Sequence, residues 1–209
     1  MSNFQTDDSP PPLWGLVLAG GESRRMGQDK GNLTLFGEPQ ATVAWQMLDR
    51  ACSRAFVSVR SGQTAVRPYS KLPHIVDDGG DATGPIAGLL AGWKRYEDVA
   101  WLLLAADMPF VDEAMLRTLI GSRDTRALAT AFRHRGGKPE PLCTIWEPGA
   151  RGILRQRERA GKRSLSGLLE ASAVRWVEPR DASRLASVNT PDELERARAM
   201  LSGDNVVSG

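Results

Sequence analysis

The sequence predicts an α/β protein, a single-domain three-layer α/β/α sandwich around a mostly parallel sheet. Three observations predict it. Short apolar or β-branched runs at 14–19, 55–59, 74–76, 100–105, 127–132 and 174–177 read as strands. Segments with helical spacing separate most of them, and strands alternating with helices build a parallel sheet covered on both faces. The run at 100–105, Ala-Trp-Leu-Leu-Leu-Ala, is apolar at every position, as a central strand buried on both faces must be.

Taken in order, the first strand at 14–19 ends on Gly20-Gly21 and a polar loop. A short extended piece at 33–36 and a turn at Gly37-Glu38-Pro39 follow. Val43, Met47, Leu48 and Ala51 then recur at helical spacing. The strands at 55–59 and 74–76 come next, the latter running into Asp77-Asp78. Gly84-Pro85 opens a helix, because proline at the first position gives up an N–H that would have no partner there. Ile86, Leu89, Leu90 and Trp93 fall on one face of it. Residues 112–120, 151–159 and 164–170 read as further helices. The last helix starts at Thr190-Pro191-Asp192-Glu193, with threonine as cap and glutamate three residues on. The predicted organisation is a flexible tail over 1–12, one domain over 13–201 and a frayed tail over 202–209.

Composition narrows the function classes. The chain has 209 residues, 27 basic and 25 acidic, for a net charge of +2. That balance gives no electrostatic footprint for nucleic acid or an anionic membrane surface. Cys52 and Cys143 stand far apart, and His74 and His134 are isolated, so neither a disulfide framework nor a structural zinc site is expected. The polar start MSNFQTDDSPPP lacks the apolar core of a signal peptide, and no run is long enough to span a bilayer. A soluble cytoplasmic protein is expected.

The segment Leu16 to Lys30, LVLAGGESRRMGQDK, carries most of the functional signal. The glycine pair lets backbone N–H groups approach a ligand, and such a turn forms an anion-binding concavity. Arg24, Arg25 and Lys30 add cations, a combination suited to a polyphosphate. On these residues alone a charged surface loop after a core strand remains the other reading. Two standard phosphate loops are excluded. The glycines do not fit G-x-G-x-x-G. Gly161-Lys162 has Gln156 where a Walker loop needs glycine and Arg163 where it needs Ser or Thr. In a parallel α/β sheet ligands sit at the carboxyl ends of the strands, which gathers Gly20, Ser58, Asp78 and Asp107 along one edge. Asp107, at the end of WLLLAAD, suits Mg²⁺, which takes oxygen ligands and one or two carboxylates beside substrate phosphates. An ordinary acidic strand end is the alternative, as a turn aspartate is for Asp78.

Leu18-Ala19-Gly20-Gly21, Ser23, Arg25-Met26-Gly27 and Asp29-Lys30 resemble the nucleotidyltransferase signature L-A-G-G-x-S-x-R-M-G-x-D-K. The resemblance continues through Gly84-Pro85-Ile86-Ala87-Gly88, Ala106-Asp107-Met108-Pro109-Phe110, Glu140-Pro141-Leu142 and Val188-Asn189-Thr190-Pro191. Together these are similar to the bacterial molybdenum cofactor guanylyltransferase family, and the similarity runs from about Leu13 to Leu201.

The resemblance implies a Rossmann-like sheet of the nucleotidyltransferase type and a Mg²⁺-dependent enzyme. Such an enzyme transfers GMP from GTP to the terminal phosphate of molybdopterin or Mo-molybdopterin, giving the guanine dinucleotide form and pyrophosphate. It implies catalytic roles for Arg25, Lys30 and Asp107. Nucleotide contacts fall on Leu18, Ala19, Gly20, Gly21, Lys30, Asp78, Gly84 and Asp107, and metal contacts on Asp107 and Asn189. It departs from the family at Val57-Ser58-Val59-Arg60-Ser61, where a nucleotide-contacting asparagine is common. Trp146 is a candidate pterin stacker, and residues 133–138 (RHRGGK) are a candidate acceptor-phosphate loop or a solvated hairpin turn. Expected partners are GTP, the pterin acceptor and transient molybdoenzyme chaperones, with a monomer or weak homo-oligomer. Rival readings are a cytidylyltransferase for the same cofactor, a sugar-phosphate nucleotidyltransferase and a non-catalytic nucleotide-binding adaptor. Gly20, where the cytidylyl branch more often carries alanine, favours GTP.

Overall fold

The computed structural model describes residues 9–19, 22–23, 28–29, 34–35, 37–77, 84–133 and 136–204. Seven strands form the main sheet: β1 (Leu13–Leu18), β6 (Ala55–Arg60), β7 (His74–Asp77), β8 (Ala100–Ala105), β9 (Ala129–Arg133), β10 (Pro139–Trp146) and β11 (Val174–Val177). Four two-residue strands make two small ladders, β2 (Glu22–Ser23) with β3 (Gln28–Asp29), and β4 (Thr34–Leu35) with β5 (Glu38–Pro39). The main sheet runs β11-β9-β10-β8-β1-β6-β7. Every neighbouring pair is parallel except those of β10, which is antiparallel to both β8 and β9.

Helices α1 (Gln40–Ala51), α2 (Pro85–Arg95), α3 (Glu113–Gly121), α4 (Ala150–Arg159), α5 (Leu165–Glu170) and α6 (Pro191–Asp204) complete the chain. The alternation of side chains in the strands splits the core into two layers. On one face Val17, Leu102 and Leu104 meet Leu48 of α1 and Leu116 and Leu119 of α3. On the other Leu16, Trp101 and Leu103 meet Ile86, Leu89 and Trp93 of α2, Leu154 of α4 and Leu168 of α5. This is the three-layer sandwich the sequence predicts. All six residues of β8 are buried, as its unbroken apolar run requires.

Three boundaries differ from the sequence reading. The strand β10 is new; it is the one antiparallel member of a sheet that is otherwise parallel, as the sequence predicts. Pro11 and Pro12 belong to the body rather than to a free tail: the Pro12 carbonyl accepts from the Ala100 N–H, and the Pro11 carbonyl accepts from Arg123 Nη2. The last helix runs on to Asp204.

Helix starts follow their sequences. Asp112 caps α3 by accepting from the Met115 N–H at 2.8 Å, and Ser164 caps α5 by accepting from the Gly167 N–H at 3.0 Å. At α6 the predicted capping box is present. Glu193 Oε2 accepts from the N–H groups of Asn189 and Thr190, while the Glu193 N–H donates to Thr190 Oγ1. Gly84 caps α2 with φ of 75°, a left-handed conformation that a Cβ would strain.

Candidate active site

The carboxyl ends of the parallel strands come together at one edge of the sheet. Leu18, the last residue of β1, pairs with Ser58 in β6, and the Ala19 N–H reaches the Ser58 carbonyl at 3.3 Å. On the other side of β1, Leu18 pairs with Ala105, and its carbonyl accepts from the Ala106 N–H at 3.1 Å. Asp107 therefore leaves the sheet one step beyond a hydrogen bond to the end of the first strand. Asp77 ends β7 opposite Arg60 of β6 on the same edge. The edge thus collects Leu18, Ala19, Ser58, Asp77 and Asp107.

α2 closes on this edge through Gly88. A Cβ there would stand 2.6 Å from Ser58 Oγ and 2.7 Å from Leu18 Cδ2. Both are closer than a real Cβ allows, so the absence of a side chain lets the helix pack onto β1 and β6. Ser58 is buried beneath it. The G-P-x-x-G segment therefore has two jobs: Gly84 and Pro85 start the helix, and Gly88 seats it.

Asn189 reaches the same place from far along the chain. The Val188 N–H donates to the Asp107 carbonyl at 2.8 Å. That one bond fixes the segment before α6 against the end of β8. The Glu193 carboxylate then holds the backbone at Asn189 and Thr190. Asp107 and Asn189 are both half-buried. Of the two residues expected to hold a metal, each is an oxygen donor, which is the chemistry a hard cation such as Mg²⁺ needs. Among the described residues no group of three or more His, Cys, Asp or Glu side chains clusters as a metal site.

Glu140 belongs to this edge, although the sequence gave its motif no role. Its Oε1 accepts from the Leu142 N–H at 2.8 Å, and its carbonyl accepts from Thr144 Oγ1 at 2.6 Å. Burial pushes its carboxyl above the usual range; the Leu142 N–H opposes that shift and the neighbouring Asp107 charge adds to it. The signal that could have found it is the E-P-L triplet itself, read as a strand start beside Asp107.

Other sequence candidates resolve differently. Trp146 has no exposed surface and lies in the core among Trp101, Ala150 and Leu154, so it cannot stack on a ligand. Residues 133–138 connect β9 to the antiparallel β10. Arg133 there donates to the Gly137 carbonyl at 3.2 Å and lies 4.8 Å from the centre of the Trp176 ring. Gly20, Gly21, Arg25, Lys30 and Asp78 lie outside the described residues. Cys143 is buried and Cys52 half-buried; the thiol of Cys52 is pushed up to about 12 by desolvation, and that of Cys143 is also raised. Both shifts disfavour the thiolate, which is the nucleophilic form.

A family model described as the MobA-like NTP transferase domain matches residues 15–176. The chain belongs to the MobA-like NTP transferase family. A molybdenum cofactor guanylyltransferase of Pseudomonas putida is 32% identical over 191 residues, covering 90% of this chain and 98% of that protein. A molybdenum cofactor biosynthesis bifunctional protein of Synechocystis is 31% identical over 190 residues. The chain spans about half of that longer relative, 54% of its length. Among solved structures, the molybdopterin-guanine dinucleotide biosynthesis protein A of Archaeoglobus fulgidus is 25% identical. It superposes with a TM-score of 0.73 over 90% of this chain and 98% of that one. As a MobA-like protein the chain is a nucleotidyltransferase, on the mixed α/β sheet described above. Among the described residues, no helix is long and apolar enough to cross a membrane.

Proposed function

We propose that this nucleotidyltransferase moves GMP from GTP to the terminal phosphate of molybdopterin or Mo-molybdopterin, with Mg²⁺ at Asp107 and Asn189. The observation that supports the reading is the Val188 to Asp107 backbone bond, which holds the segment that carries Asn189 against the segment that carries Asp107, beside the end of β1. The name of the Pseudomonas putida relative supports the choice of donor and acceptor.

The chemistry asks little of the protein beyond placement and charge. A phosphate monoester has its second pKa near 6, so the acceptor is largely dianionic at neutral pH and needs no strong base. One of its oxygens attacks the α-phosphorus of GTP. The bond from that phosphorus to the bridging oxygen breaks, and pyrophosphate leaves. The ion, when bound, offsets negative charge on the two phosphate groups. The residues do the rest. Leu18 and Ala19 bring the glycine turn to the nucleotide. Gly84 lets the start of α2 approach it. Asp78, Arg25 and Lys30 take the roles the family resemblance gives them, the two cations stabilising charge as it develops on the leaving group. No histidine or cysteine is called on.

Thermal melting with each of the four ribonucleoside triphosphates and Mg²⁺ tests the donor. Ligand bound at a hundred times its Kd stabilises a fold by about 2.7 kcal/mol. GTP is expected to raise the melting temperature most. A larger rise with CTP points to the cytidylyl enzyme, and one with UTP or ATP to a sugar-phosphate enzyme. No rise with any of them points to the adaptor.

A further inference from the structure

We infer that Glu193 is a positioning residue of this active site, whose carboxylate fixes the Asn189 backbone beside the Asp107 segment. The inference rests on the reading above and extends it to a residue that the reading gives no contact with substrate or ion.

The first support is a short strap of chain, Val188-Asn189-Thr190, held from both ends. The Val188 N–H donates to the Asp107 carbonyl at 2.8 Å, so the end of β8 holds one end. The Asn189 and Thr190 N–H groups both donate to Glu193 Oε2, so α6 holds the other. Val188 is buried. Asn189 stands between the two anchors, and the backbone N–H of each strap residue is engaged.

The second support is that capping alone does not account for the bond to Asn189. A capping box needs its glutamate to reach back only to the N–H of the cap residue, here Thr190. Glu193 Oε2 reaches one residue further. Its bond to Asn189, at 2.6 Å, is shorter than its bond to Thr190, at 3.1 Å. An ionised acceptor makes shorter and stronger hydrogen bonds than a neutral one. The carboxylate is not drawn elsewhere, because Glu193 forms no ion pair among the described residues.

The third support is that the helix carrying Glu193 is itself fixed. Ala197 has no exposed surface, and Arg198 Nη2 donates to the Thr34 carbonyl at 3.0 Å. Glu193 therefore passes the position of a docked helix to Asn189. Groups that orient a metal ligand through a hydrogen bond typically cost about 10- to 100-fold in metal affinity when removed.

Thr190→Ala separates positioning from capping. It removes the bond from the Glu193 N–H to Thr190 Oγ1, half of the box, and leaves Glu193 Oε2 both of its donors. The test is Mn²⁺ binding to the full chain with GTP and no acceptor, read by electron paramagnetic resonance, beside the melting temperature of each variant. Glu193→Ala is expected to weaken Mn²⁺ binding about tenfold or more. Glu193→Gln keeps an oxygen for the two N–H groups and is expected to recover most of that loss. Thr190→Ala is expected to lower the melting temperature with Mn²⁺ affinity held. Equal losses of Mn²⁺ in Thr190→Ala and Glu193→Ala overturn the inference, since Glu193 then acts only through the stability of α6. Parent-like affinity in Glu193→Ala, beside a loss in Asp107→Asn, also overturns it and leaves the proposed function standing. Parent-like affinity in Asp107→Asn overturns the metal assignment itself, and the inference with it. Should Glu193→Ala fail to fold, Glu193→Asp keeps the charge in the first turn of α6 and withdraws its oxygens by one methylene. The same weakening of Mn²⁺ binding is expected there, and parent-like affinity counts against the inference.

Discussion

At Asp107 the chain is held from two sides. The Ala106 N–H just before it binds the end of β1, and the Asp107 carbonyl accepts from Val188. The side chain is thus set by backbone bonds that do not depend on a ligand. Such preorganisation is what makes a charged group effective toward developing charge. Asp107→Ala leaves those backbone bonds intact, so the fold is expected to persist. Turnover with GTP and the pterin acceptor should fall by about a hundredfold or more, measured as pyrophosphate released. Full activity in that variant would remove the metal assignment. The position stands out in the sequence because the aspartate closes an unbroken apolar strand, although an ordinary acidic strand end reads the same way there. Glu140 was not legible. Its placement depends on the irregular start of β10, which follows from pairing with strands far along the chain and which no local pattern carries.

Among the elements, β10 is the one the sequence hid. Pro139 and Pro141 frame Glu140 at its start, and proline cannot donate to a ladder, so the run reads as non-strand. The structure accommodates both within the irregular stretch before Thr144, and the regular ladder to β8 begins only at Cys143. The strands flanked by helices were legible because their apolar runs are bounded by turns. The starts of α2 and α6 were legible because Gly-Pro and the threonine–glutamate box act locally. α2 itself is seated by a contact that was only partly legible. The sequence marks Gly88 as small, but its reason is Ser58 and Leu18 across the helix–sheet interface. Gly88→Ala is expected to destabilise the protein by about 1–3 kcal/mol through overpacking, read from urea melts. It should also weaken GTP binding, because the displaced groups end the two strands at the nucleotide edge. Unchanged stability and affinity would show that α2 can shift without disturbing the site.

At the scale of the whole molecule, the edge opposite the site is tied by one buried ion pair. Arg123 Nε and Nη2 donate to the two oxygens of Glu147 at 2.7 and 2.9 Å, and Nη2 also donates to the Pro11 carbonyl. The Arg123 and Glu147 side chains are only 13% and 4% exposed, so the pair is not a screened surface contact. It joins the start of the described chain, the segment after α3 and the end of β10. Arg123→Ala would leave Glu147 buried without its partner and is expected to cost about 3–5 kcal/mol, measured by urea unfolding. A cost below about 1 kcal/mol would mean that the pair behaves as an exposed one. This cross-link links residues 24 and 112 apart, and nothing in the local sequence announces it. The overall layering was legible by contrast, because a buried face leaves a periodic imprint on every element that lines it. The most direct test of the proposed activity uses GTP labelled at the α-phosphate, molybdopterin and Mg²⁺ with the purified chain. The account predicts that the label moves to the pterin product, with one pyrophosphate released for each transfer and little transfer from labelled CTP. GTP bound but never cleaved in the presence of competent acceptor would contradict it.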